Sequence, residues 1–106
     1  MITPEFLQSC ADEQINKGVA WLEVNKEFNL SDMCKFQYFA CNAYLTDFRD
    51  YCTNPNDAMP VAFANFISLR FSRDNGWIAR KGMHVCFNKN PLRAICEVYL
   101  LMSNDK

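Results

Sequence analysis

Two Asn-Pro pairs, Asn54-Pro55 and Asn90-Pro91, constrain this chain more than any other feature of it. Proline has no amide hydrogen and a φ fixed near the helical value, so it suits a first helical position, and an asparagine before it can cap the new helix. Each pair therefore reads as a helix start. Between them Ile67, Leu69 and Phe71 alternate with Ser68, Arg70 and Ser72, the period of a strand with one buried face. Asp74-Asn75-Gly76 then turns the chain, and Trp77 to Gly82 returns antiparallel.

Loop length decides which side chains share the core face, because a one-residue slip moves every side chain to the other side. A two- or four-residue loop sets Ile78 and Arg80 beside Leu69 and Phe71. A three-residue loop closed by Gly76 in the left-handed conformation sets Trp77 and Ala79 there instead. The second is preferred, since it buries the Trp and sends Arg80 to the solvent face with Arg70.

The flanking segments extend this unit. Thr53 to Asp57 is a cluster of turn and cap residues, and Pro60 is tolerable only close to a helix start, which predicts a short helix near 57–65 capped by Asp57. Met83 to Phe87 can add a third strand, ended by Asn88-Lys89-Asn90-Pro91. From Leu92, the apolar residues Ile95, Cys96, Val98, Tyr99, Leu100 and Met102 cover more than one stripe, so this helix belongs at the centre of the core.

At the other end, Thr3 caps a helix that opens with Pro4. Phe6, Leu7, Cys10, Ala11, Ile15, Val19 and Leu22 recur at spacings of three and four, which predicts one helix of about five turns. Asp12, Glu13, Asn16, Lys17 and Glu23 fall on its solvent side. Residues 25–53 fit two patterns: Phe36, Ala40, Ala43, Tyr44 and Phe48 keep a helical period, while the aromatic density of 35–43 suits a strand, the version preferred here. The fold expected is α+β in a single domain, 1–106. A small antiparallel sheet (hairpin about 67–82 plus one or two further strands) packs against an N-terminal helix and a buried C-terminal helix.

A chain of 106 residues, half of them hydrophobic and nine of them Phe, can bury one core without metals or disulfides. No apolar run approaches the roughly 18 residues of a membrane span, and Met1 to Glu5 lacks the basic and apolar regions of an export signal. A cytoplasmic setting is therefore expected, with the six cysteines as free, mostly buried thiols. The net charge of −1 hides a gradient: residues 1–57 carry four basic groups against nine acidic, and 58–106 carry seven against three.

Five blocks, in order, resemble the NinX-type accessory proteins of lambdoid bacteriophages and prophages. They are Glu13 to Ala20 (EQINKGVA), Asp50 to Ala58 (DYCTNPNDA) with Pro60, Ile67 to Phe71 (ISLRF), Trp77-Ile78-Ala79, and Asn90 to Met102 (NPLRAICEVYLLM). The likeness covers the first helix and nearly all of the chain from Asp47, with Ala58-Met59-Pro60 where relatives carry a Trp or a Gly-rich turn. Residues 25–46 align with nothing. The resemblance implies the cytoplasm of an infected bacterial host, and it brings with it no established activity, cofactor or catalytic residue.

The residues themselves point to binding more than to catalysis. His84-x-Cys86 lacks the paired clusters of a structural zinc site, and no cysteine is marked as an activated nucleophile. Asp47, Asp50 and Asp57 near Arg49 could line an acid-base pocket, although capping and surface pairing account for them. No Gly-rich phosphate loop is present, and no metal or cofactor is expected. Arg49, Tyr51, Arg70, Trp77, Arg80 and Arg93 form the expected contact set. The expected partner is a host or phage protein, or a small ligand. The alternative is nucleic acid on a cationic hairpin presenting Arg70, Arg80 and Lys81, with Trp77 or Tyr99 for stacking.

Overall fold

A computed structural model of the chain describes residues 3–25 and 50–103. The extended segment expected at 35–43 lies outside them. The fold is α+β: α1 (Pro4–Ser9), α2 (Asp12–Asn25), α3 (Pro55–Asn65), β1 (Ser68–Ser72), β2 (Gly76–Lys81), β3 (His84–Asn88) and α4 (Pro91–Met102). The strands form an antiparallel sheet in the order β1-β2-β3.

Both Asn-Pro pairs start helices as expected. Asn54 Oδ1 accepts from the Asn56 amide and Asn90 Oδ1 from the Leu92 amide, each taking up an amide that the first helical turn leaves unpaired. Because Asn54 is the cap, α3 begins two residues earlier than the expected start at Asp57, and Pro60 sits in its second turn. The Asp57 carboxylate does not cap; it accepts the amide of Asp50. At the far end of α3, Phe66 adopts the left-handed conformation (φ 56°) in which helices more often place glycine.

The hairpin has the three-residue loop. Ser72 pairs with Gly76 across Arg73, Asp74 and Asn75, and Gly76 has φ 78°. Phe71 therefore faces Trp77 and Leu69 faces Ala79. Trp77 is only half-buried, however. Helix α4 packs on β2 and β3, so the Phe71–Trp77 end of this face stays partly open; the two rings meet edge-on at 5.3 Å and Phe71 is 59% exposed. The third strand is supplied by Lys81 pairing with His84 across Gly82 (φ 61°) and Met83.

Helix α4 is the centre, as its all-round apolar pattern predicts. The sheet and α1, α2 and α3 all pack on it, and every residue from Arg93 to Leu101 is buried. Leu7, Ile15, Val19, Leu22, Val61, Ala79 and Cys86 close around Ile95, Val98 and Leu100.

The N-terminal segment departs from expectation, being two helices. Cys10 is extended (ψ 147°) between them, and the Gln14 side chain accepts the Ala11 amide as half of a capping box for α2. The break turns the carbonyls of Leu7 and Cys10 toward the core, where Arg93 Nη2 donates to both at 2.7 and 2.6 Å. Arg93 Nη1 pairs with Asp12, and Arg93 Nε lies 3.5 Å from Glu97. Asn16 and Lys17, expected at the solvent, are buried on α2. Asn16 accepts the Cys52 amide and donates to Asp50, while Lys17 pairs with Glu13 at 2.8 Å.

Arg93→Met should lower unfolding free energy by about 3–5 kcal/mol, because the carbonyls of Leu7 and Cys10 would be left without their donor and the buried Glu97 without its countercharge. Urea unfolding measures this, and a loss below about 1 kcal/mol would show the network to be dispensable. Gly76→Ala should lower stability by roughly 1–2 kcal/mol from its positive φ alone. The added Cβ would also meet the Asn88 carbonyl oxygen at 3.0 Å, so the same measurement should find a loss above that range.

Candidate functional site

The six residues expected to make contacts do not come together. Arg49 lies outside the described residues. Tyr51 and Arg93, expected at the surface, are buried in the core and in the α1–α2 joint. Trp77 is on the face that α4 covers. Arg70 and Arg80 alone share a surface, the opposite face of the sheet.

Strand register builds that face. Ser68 pairs with Arg80 and Arg80 with Val85; Arg70 pairs with Ile78 and Ile78 with Phe87. Directly paired side chains point the same way, so two rows of three side chains stand side by side, Ser68-Arg80-Val85 and Arg70-Ile78-Phe87. No residue of either row is buried, and Phe87 is 42% exposed. Neither arginine has a carboxylate partner among the described residues; Arg80 Nε is anchored on the Gly82 carbonyl at 3.0 Å. Lys81, next to Arg80, necessarily points to the other side, where its Nζ lies 5.2 Å from the centre of the Phe66 ring. The hairpin therefore does not present Arg70, Arg80 and Lys81 together. Phe87, Ile78 and Val85 are the members of this face that sequence reasoning missed. The signal was the tight Gly82-Met83 turn, which fixes Val85 and Phe87 on the side of Arg80 and Ile78.

Of the carboxylates that could line an acid-base pocket, Asp47 lies outside the described residues, and Asp50 and Asp57 serve the fold. The Asp50 carboxylate holds Asn16 and the Thr53 hydroxyl, while Asp57 accepts the Asp50 amide. The described cysteines, Cys10, Cys52, Cys86 and Cys96, are buried and free. Burial pushes the Cys86 thiol up to about 12, and Cys96, hydrogen-bonded to Cys52 and buried, is likewise held well above the usual thiol range. Both are protonated at neutral pH and poor nucleophiles. Among the described residues no group of three or more His, Cys, Asp or Glu could hold a metal ion, and no helix is long and apolar enough to cross a membrane.

Glu97 is the exception within the core. It is wholly buried on α4; Oε2 accepts from Asn88 Nδ2 at 3.2 Å, and Oε1 has no hydrogen-bond partner among the described residues. Burial raises its carboxyl to about 6, with Arg93 and the Asn88 hydrogen bond pulling the other way.

The chain matches no family model, no curated protein and no solved structure.

The raised value of Glu97 fixes the sign of a pH effect. The folded state holds this proton more tightly than the unfolded chain, so the residue's contribution is most favourable below the unfolded value of 4.5 and is lost as pH rises through about 6. Urea unfolding between pH 4 and 7.5 should show wild type losing about 2 kcal/mol relative to Glu97→Gln as pH rises. Parallel profiles for the two proteins would show that Glu97 titrates normally.

Proposed function

We propose that this chain is an accessory protein of a bacteriophage or prophage that works in the host cytoplasm by binding a partner, and that the partner docks on the uncovered sheet face. The observation that carries this reading is the contrast between the two sides of one sheet. Ala79 and Cys86 are fully buried under α4, while the opposite side leaves Ile78, Val85 and Phe87 beside two arginines that have no carboxylate partner among the described residues. Apolar side chains gathered on a surface and rimmed by polar ones are characteristic of contact sites. The buried Arg93 and Glu97, with the exposed Asp12 paired to Arg93, are engaged in holding the α1–α2 joint against α4. The five motif blocks that resemble NinX-type proteins supply the phage setting.

The test is retention of a partner by tagged protein in infected or lysogenic bacteria. Ile78→Asp and Phe87→Ser, on the uncovered face, should release a component that Met83→Ser, at the exposed β2–β3 turn, retains. If the outer-face variants, folded by circular dichroism, keep the full set of co-purifying molecules, this face is not the docking site.

A further inference from the structure

We propose that the uncovered sheet face seats a single-stranded nucleic acid, with Phe87 as a stacking platform for a base and Arg70 and Arg80 as contacts to the phosphates. The inference rests on the docking role given to this face above, and names its occupant.

Charge is the first reason. Residues 66–89 carry five basic groups (Arg70, Arg73, Arg80, Lys81, Lys89) against the single acidic Asp74, while the rest of the chain carries six basic against eleven acidic. The cationic excess of the sequence therefore lies in the sheet and its flanking turns, and the −1 of the whole conceals it. On the face itself, Ser68, Arg70, Ser72, Ile78, Arg80, Val85 and Phe87 include no carboxylate. Such a surface attracts a polyanion.

The second reason is where the apolar groups lie. Phe87 and Ile78 are cross-strand neighbours with Arg70 at the end of their row, and Arg80 stands in the adjoining row between Ser68 and Val85. Diagonal neighbours on a sheet are about 7–8 Å apart, so one arginine can reach a phosphate while a base lies on the neighbouring ring. Exposed sheet faces recognise single strands by stacking unpaired bases on their aromatic side chains, and the ring of Phe87 offers a platform for one base. A duplex offers no free base to Phe87, and its phosphates would meet only the two arginines.

Structure also removes the stacking candidates that sequence offered. Tyr99 is buried in α4, and Trp77 points to the covered side with Phe71 against its edge. Among the described residues, Phe87 is the aromatic that remains on the arginine face.

The test is fluorescence anisotropy of fluorescein-labelled (dT)12, (rU)12, a duplex of the same length and polyglutamate, titrated with the intact protein across a salt series. Both single strands, or one of them if the 2′-hydroxyl is read, should bind more tightly than the duplex and polyglutamate. Affinity should fall with a logarithmic salt slope of about −1.4 for two phosphate contacts. Phe87→Leu keeps the site apolar without a ring and should weaken binding by about fivefold or more. Arg70→Gln and Arg80→Gln should each flatten the slope by about 0.7. Lys81→Gln, on the opposite face, should change affinity less than about twofold and leave most of the slope in place. Equal affinity for duplex or polyglutamate, an unchanged Phe87→Leu, or no binding of either single strand overturns the proposal. If oligonucleotides fail while outer-face variants still release a partner from cells, the occupant is wrong and the docking face stands; if those variants release nothing, both fall.

Discussion

The position of Arg93 depends on a helix that stops early, and most of the fold depends on Arg93. A guanidinium taken into a core needs donors' partners on all sides, since a charge without them costs several kcal/mol. The chain provides them for both Nη atoms by ending α1 at Ser9 and leaving Cys10 extended, so the carbonyls of Leu7 and Cys10 face Arg93 and Asp12 stands beside it, while Nε, 3.5 Å from Glu97, has no hydrogen-bond partner among the described residues. Glu97, one turn further along α4, then links the cluster through Asn88 to the end of β3. One residue thus joins the N-terminal helices and, through Glu97, the sheet to the central helix. An apolar core would pack these elements with less positional definition.

This explains which parts of the fold could be read from sequence. Local chemistry was sufficient wherever one residue type has one role: Asn54 and Asn90 as caps, Pro55 and Pro91 as first helical residues, Gly76 closing a three-residue loop, and Leu92 to Met102 as the core helix. The α1–α2 break was hidden because the apolar spacing runs through it without interruption. Its cause is a tertiary partner more than 80 residues away, which no local period records. Asn16 and Lys17 failed for the same reason, being polar residues drawn inward by Cys52, Asp50 and a helical neighbour.

The site was legible by half. Arg70 and Arg80 were assigned to the solvent face of the hairpin from register alone, and the structure places them there. Lys81 was grouped with them by proximity in sequence, although consecutive strand residues point to opposite sides. Phe87 was overlooked because the third strand was read as an extension of the hairpin, without carrying the alternation across the second turn. Arg93 and Tyr51 show the converse error, where charge or a hydroxyl suggested exposure and burial with partners was the outcome.

The two Asn-Pro pairs look equivalent in sequence but are not interchangeable. Asn54 uses its side-chain oxygen to accept one amide, a task open to aspartate or serine as well. Asn90 uses both ends: Oδ1 caps α4, while Nδ2 donates to the Cys52 carbonyl across the molecule at 2.5 Å. A carboxylate there would still begin the helix but would set oxygen against oxygen at Cys52. The second pair therefore admits only the amide, and a helix signal readable over three residues doubles as a long-range tether that only the folded chain reveals.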